Sequence, residues 1–208
     1  MSVKDYIEKN YPEYYGWFDY PADRTAAFKS IDGAWGIFGN FAHTPIVVGG
    51  VTFDCAEKLF QVMKFSDPGA RRIIYSRKGR KIKMTAKNQA RVCGIRPDWG
   101  EIIVDVLKFC LMQKYEQCEA FRLELERSRG LDIVEVQPNP KRPADTYSAK
   151  LSDDGQTWSG PNLMGRLLME LRDTGSLRWN LPEDALRFDD LSEPEARDQE
   201  LGKGNDIQ

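Results

Sequence analysis

The segment Asp54–Lys64 constrains this chain more than any other. Ala56, Leu59, Phe60, Val62 and Met63 cover most of a helix's circumference, which predicts a helix buried on nearly every side. Glu57, Gln61 and Lys64 nevertheless fall at i, i+4 and i+7, a single polar stripe on that helix. Burying unpaired charge is costly, so the stripe needs a cause. Asp54 followed by Glu57 reads as a capping-box start. The stripe is therefore either a cap continued by an intrahelical ladder or the wall of a polar cleft.

Composition narrows what surrounds that helix. A chain of 208 residues, 41% hydrophobic and 30% charged, suits one soluble domain with a sizeable core. No apolar run approaches the length of a membrane span, and Met1–Asp5 lacks the apolar core of a secretory signal. Cys55, Cys93, Cys110 and Cys118 show no Cys-x-x-Cys spacing and read as reduced thiols, so a cytoplasmic protein is expected. With His43 as the one histidine, a histidine-based metal site or a Ser-His-Asp triad is not expected. Residues 180–208 hold nine acidic and three basic residues and are read as an acidic, mostly disordered tail.

Residues 1–27 are rich in aromatics (Tyr6, Tyr11, Tyr14, Tyr15, Trp17, Phe18, Tyr20) and read as a strap over the core, leaving 28–179 as the main domain. Ile46–Val48 and Val51–Phe53 flank Gly49-Gly50, a hairpin signal that delivers the chain into the Asp54 helix. Residues 70–96 carry ten positive charges and no acidic residue, which favours an anionic partner over a merely solvated face. Asp98 and Glu101 open a helix with Ile102, Ile103, Val106, Leu107, Cys110 and Leu111 at core spacing. A further helix over Glu119–Arg127 stops near Gly130, and Leu131–Val136 alternates as a strand. The last helix is expected from Pro161 at its first position, with Gly165 inside it marking close packing or a bound group.

The order of these motifs resembles a known family. Gly39-Asn40-Phe41, Pro45 to Gly49, Glu57…Gln61…Lys64 and Gly79-Arg80 come first. Arg96 to Trp99, Lys114-Tyr115, Val134-Glu135 and Asp145 follow, and the series ends with Gly160-x-Asn162-x-x-Gly165-x-x-Leu168-Met169-x-x-Arg172. Together they are similar to the NADAR/YbiA-like family over about residues 28–175. The resemblance implies a mainly helical α+β fold with a small β-hairpin or sheet, and a cofactor-free, metal-free N-glycosidase. Its implied substrates are phosphorylated N-ribosides: riboflavin-biosynthesis intermediates, or ADP-ribosyl-guanine in nucleic acid. It also implies catalytic roles for Glu57, Trp99 and Asp145. Two departures from the family pattern stand out: Lys58 replaces a frequent histidine, and Tyr147 is the aromatic of the Asp145 loop where a tryptophan is usual.

Cleaving a ribosyl C–N bond builds positive charge on the sugar and negative charge on the departing nitrogen. A carboxylate suits the first and a proton donor the second. Glu57 and Asp145 are a pair for these roles, and the sequence does not decide which does which. Trp99 would offer a flat face to sugar or base. Lys64 could pair with Glu57, hold a phosphate or attack the sugar as an amine. Arg80 is the candidate phosphate clamp. Asn40, Phe41, Gln61, Tyr147, Gly160 and Asn162 complete the expected substrate surface. A different reading of the same cleft is a non-enzymatic ADP-ribose- or NAD-binding module.

Overall fold

The computed structural model describes residues 3–191. The chain runs α1 (Val3–Asn10), β1 (Phe18–Pro21), β2 (Thr25–Phe28), β3 (Ile46–Val48), β4 (Val51–Phe53), α2 (Ala56–Met63) and α3 (Pro68–Tyr75). It continues through α4 (Lys81–Val92), α5 (Trp99–Gln117), α6 (Glu119–Arg127), β5 (Asp132–Glu135), β6 (Lys150–Leu151), β7 (Thr157–Gly160) and α7 (Leu163–Thr174). The architecture is the expected mainly helical α+β fold, its strands divided among three small sheets.

Helix α5 is the central member. Ile103, Val104, Val106, Leu107, Cys110 and Leu111 are all buried, as full encirclement demands. It packs on α1, α2, α6 and β3. Lys114 is also on α5 and is 0% exposed. Its ammonium donates to the carbonyls of Ile37 and Gly39 at 2.6 and 3.0 Å and lies 4.5 Å from the centre of the Phe121 ring. One buried cation thereby fastens the 36–41 loop to the core, and burial pulls its pKa down to about 7.

The predicted hairpin forms: β3 pairs antiparallel with β4 across Gly49 and Gly50, whose φ of 56° and 77° glycine adopts without strain. The aromatic N-terminal segment is woven into the sheets rather than laid over them. β1 pairs antiparallel with β7, and β2 pairs parallel with β5, so the boundary drawn after residue 27 falls inside a strand.

The expected disordered tail from residue 180 needs correction as far as Leu191. Glu183–Leu186 and Asp189–Leu191 form short 3-10 turns, and Ala185, Phe188 and Leu191 are buried. Phe188 packs edge-on against Phe53 at 5.3 Å. Arg71 pairs with Asp190 and Arg96 with Asp184, at 3.1 and 3.0 Å. Two cations of the 70–96 run thus anchor this acidic segment. Residues 192–208 lie outside the described residues.

Candidate active site

The helix carrying the polar stripe begins one residue later than the sequence suggests. Cys55 is the N-cap residue and makes no side-chain cap. Asp54 does not cap the helix; its carboxylate accepts from Lys58 Nζ at 2.6 Å. The Glu57 amide donates to the Asn40 carbonyl at 2.8 Å. The loop backbone does the capping, which frees the Glu57 side chain. One of its carboxyl oxygens accepts from Gln61 Nε2 at 3.0 Å, and both residues are 6% exposed. Burial raises the Glu57 pKa, opposed by Lys83, the Gln61 hydrogen bond and Lys64. Lys64, half-buried at the end of α2, is lowered by burial and by Lys83, and raised by Glu57.

The opposite wall is built by β5, the 145–148 loop and the start of α7. Asn162 caps α7 in a left-handed conformation, with φ 47°, so Pro161 lies before the helix rather than in it. The Asn162 side chain is 0% exposed. Its amide donates to the Ile133 carbonyl at 2.8 Å and accepts from the Glu135 N–H at 3.1 Å. Gly165 is required there, because a Cβ would come within 2.0 Å of the Ile133 carbonyl oxygen. The carbonyls of Thr146, Tyr147 and Ser148 accept from the N–H groups of Leu163, Met164 and Asn162. The loop therefore satisfies amides that the helix start leaves unpaired. Asp145 fixes the loop's own turn: one carboxyl oxygen accepts from Ser148 Oγ at 2.7 Å and from the Tyr147 N–H at 3.1 Å. Gly160 lets the two strands of loop chain meet, since a Cβ there would lie 2.5 Å from the Ser148 carbonyl oxygen.

These walls share one electrostatic environment. Burial pushes the Tyr147 phenol up, and Glu57, Asp145 and Glu135 push it further. Glu135 is pushed up to about 8 by burial and by the charges of Asp145 and Glu57, against Lys83. Among the described residues no three His, Cys, Asp or Glu are grouped to hold a metal ion.

Glu57 and Gln61 are thus hydrogen-bonded on α2, Tyr147 and Asp145 in the 145–148 loop, and the Tyr147 phenol lies in the field of Glu57. Trp99 stands behind them: it is 5% exposed and meets Phe60 of α2 edge-on at 5.2 Å. Its amide is hung from the Arg96 carbonyl, and the Arg96 N–H from the Lys64 carbonyl. Asn40 supplies its backbone carbonyl to α2, while its side-chain oxygen is buried without a partner among the described residues. Phe41, beside it, is half-buried. Arg80 is exposed at the N-cap of α4, and the cation acting on Glu57 and Glu135 is Lys83, one turn further on. Asn162 and Gly160, expected to touch substrate, are taken up in holding β5 and the loop.

Sequence reasoning gave no role to Glu135 or Lys83. Both were visible, the first in the Leu131–Val136 strand and the Val134-Glu135 motif and the second in the basic run. Nothing local marks either as facing Glu57.

A family model described as the NADAR domain matches residues 27–174. The chain belongs to the NADAR/YbiA-like N-glycosidase family. N-glycosidase YbiA of Escherichia coli (strain K12) is 32% identical over 151 residues, covering 73% of this chain and 88% of that protein. The Shigella flexneri N-glycosidase YbiA matches with the same identity and coverage. Protein irg-1 of Caenorhabditis elegans is 28% identical over 116 residues, 54% of this chain and 49% of that one. The NMR structure of the E. coli protein YbiA superposes with a TM-score of 0.56 at 30% identity, covering 73% of this chain and 84% of that one. As a NADAR protein the chain is a hydrolase acting on N-glycosyl compounds. The matched span holds every wall of the cleft, from the Asn40 loop to α7, and leaves out the 180–191 segment that fastens to α3 and Arg96.

Proposed function

We propose that the protein hydrolyses the ribose–nitrogen bond of a phosphorylated N-riboside in the cleft between α2 and the 145–148 loop. What supports the reading is the family match over residues 27–174 together with a buried Glu57 whose carboxyl accepts a hydrogen bond from Gln61 on the same helix face. Glu57 offers a carboxylate to the electron-poor anomeric carbon and to the attacking water. Gln61 fixes one of its oxygens, and the other has no partner among the described residues. Asp145 and Tyr147 border the sugar from the opposite wall, and Trp99 with Phe60 backs the α2 side. Lys64 and Lys83 are the cations suited to a substrate phosphate.

The substrate class we favour is ADP-ribosyl-guanine in nucleic acid over a small riboflavin precursor. Arg72, Arg77, Lys78, Arg80, Lys81, Lys83, Lys87 and Arg91 are exposed and form no ion pair among the described residues. They lie on α3, α4 and the turn between, the same unit that lends Lys83 to the cleft. A phosphate backbone following that face would meet cations without competing carboxylates.

The test is incubation of the purified protein with ADP-ribosylated guanine DNA and, separately, with phosphoribosyl pyrimidine precursors of riboflavin, measuring released sugar. Turnover of the DNA substrate should fall steeply as salt rises from about 50 to 200 mM. Glu57→Gln should lower turnover by about 10²-fold or more with ligand affinity retained. Release from neither substrate, or full turnover by Glu57→Gln, overturns the reading. Turnover of the small precursors alone overturns the nucleic-acid preference.

A further inference from the structure

Lys114 is a buried charge to which the proposed reaction gives no task. It is 0% exposed, and no ion pair among the described residues includes it. Holding an ammonium in a core without a counter-charge is costly, so its position needs a cause. Its contacts are the carbonyls of Ile37 and Gly39, at 2.6 and 3.0 Å, and the face of the Phe121 ring. The titratable groups that act on it are the thiols of Cys118 and Cys55, with no carboxylate among them.

Those two carbonyls lead to the helix that carries Glu57. Phe38, between them, anchors the loop through its ring, edge-on to Phe28 and Phe121 at 5.9 and 6.2 Å. A ring contact leaves the flanking peptide planes free to turn, and Lys114 sets the direction of both. The rigid plane at Gly39 joins directly to Asn40, whose carbonyl accepts from the Glu57 amide at 2.8 Å. That amide is one that the first turn of α2 leaves without an intrahelical partner. A short path of hydrogen bonds and planar peptides therefore runs from Lys114 to the residue whose carboxyl Gln61 holds at 3.0 Å.

We infer that Lys114 is a positioning residue for the hydrolysis, setting through the 37–40 loop the angle at which α2 presents the Glu57 carboxyl. The inference rests on the N-riboside reading above, in which Glu57 acts on the anomeric carbon and the attacking water. Lys114, sealed in the core, acts only through Glu57. A misplacement of about 1 Å in a reacting group costs up to about 10²-fold in rate. Releasing the loop thus slows bond breaking more than it weakens binding.

The experiment uses Lys114→Met, an apolar chain of similar length, and Lys114→Gln, which keeps a donor on a shorter stem. Each is made in the wild-type and in the Glu57→Gln protein. On the N-riboside that wild type cleaves, Lys114→Met should lower kcat by about 10-fold or more and leave KM within about threefold. Lys114→Gln should fall between, and it carries the same comparison if Lys114→Met does not fold. In the Glu57→Gln protein the same substitutions should change residual kcat by less than about twofold, because the carboxyl they position is gone. Equal losses in both backgrounds would mean a general loss of folded protein and overturn the inference. Amide hydrogen exchange reads the link without substrate. The Glu57 N–H should exchange about 10-fold faster or more in the variants, with the Cys110 N–H of α5 within about threefold of wild type. An unchanged Glu57 rate would also overturn the inference. Faster exchange at Glu57, in a protein whose wild type cleaves no N-riboside, would instead overturn the reading beneath it.

Discussion

Replacing Asn162 with alanine tests whether a single side chain holds the Glu135 strand in place. Asn162 is fully buried and spans the Ile133 carbonyl and the Glu135 N–H, at 2.8 and 3.1 Å. Truncation leaves both backbone groups buried and unpaired, at about 1–3 kcal/mol each. Alanine at the φ of 47° adds about 1 kcal/mol, because it keeps the crowded Cβ but lacks the short polar side chain with which asparagine eases the left-handed region. The expected loss is about 3–7 kcal/mol, a large share of the roughly 5–15 kcal/mol that a domain possesses. Asn162→Gly removes the same hydrogen bonds but relieves the backbone, so it should unfold about 1 kcal/mol later than alanine. Urea unfolding with an unchanged slope measures both variants. A loss under about 1 kcal/mol for alanine would refute the clamp. Equal losses for the two variants would refute the strain component.

Other consequences can be measured on the same material. Lys114 has a pKa of about 7 when folded against 10.5 when free, so between those values the unfolded chain binds the additional proton. Stability should therefore rise with pH, by up to about 1.4 kcal/mol per unit between about pH 7.5 and 9.5. Lys114→Met should flatten that rise, and an identical pH dependence in urea melts of both proteins would contradict the burial argument. Phe188→Ala should cost about 3 kcal/mol or more in thermal or urea unfolding, because a buried ring packed on Phe53 leaves a cavity. A change below about 1 kcal/mol would mean that residues 180–191 contribute little to the core.

Short-range patterns carried most of the secondary structure. The 3.6-residue spacing of α5, the Gly49-Gly50 turn and the end of α6 near Gly130 each depend on neighbours within a few positions. The i, i+4 relation between Glu57 and Gln61 does too, and that contact is a hydrogen bond of 3.0 Å. The same reasoning misplaced the cap of α2, because the acceptor for the Glu57 amide is a carbonyl seventeen positions earlier, at Asn40. Nor does spacing show that the Asn162 side chain bonds the β5 backbone, whose groups stand 29 and 27 positions away.

The sequence by itself determined the helical periodicity, the hairpin and the polar stripe, and its motif order marked the family, since all of these are written in spacing along the chain. Tertiary structure alone decided that Lys83 acts on both Glu57 and Glu135, and that Phe188 closes the core. Desolvation and charge–charge fields act through space, and their strength is set by what the fold places beside a group, whatever its distance in sequence.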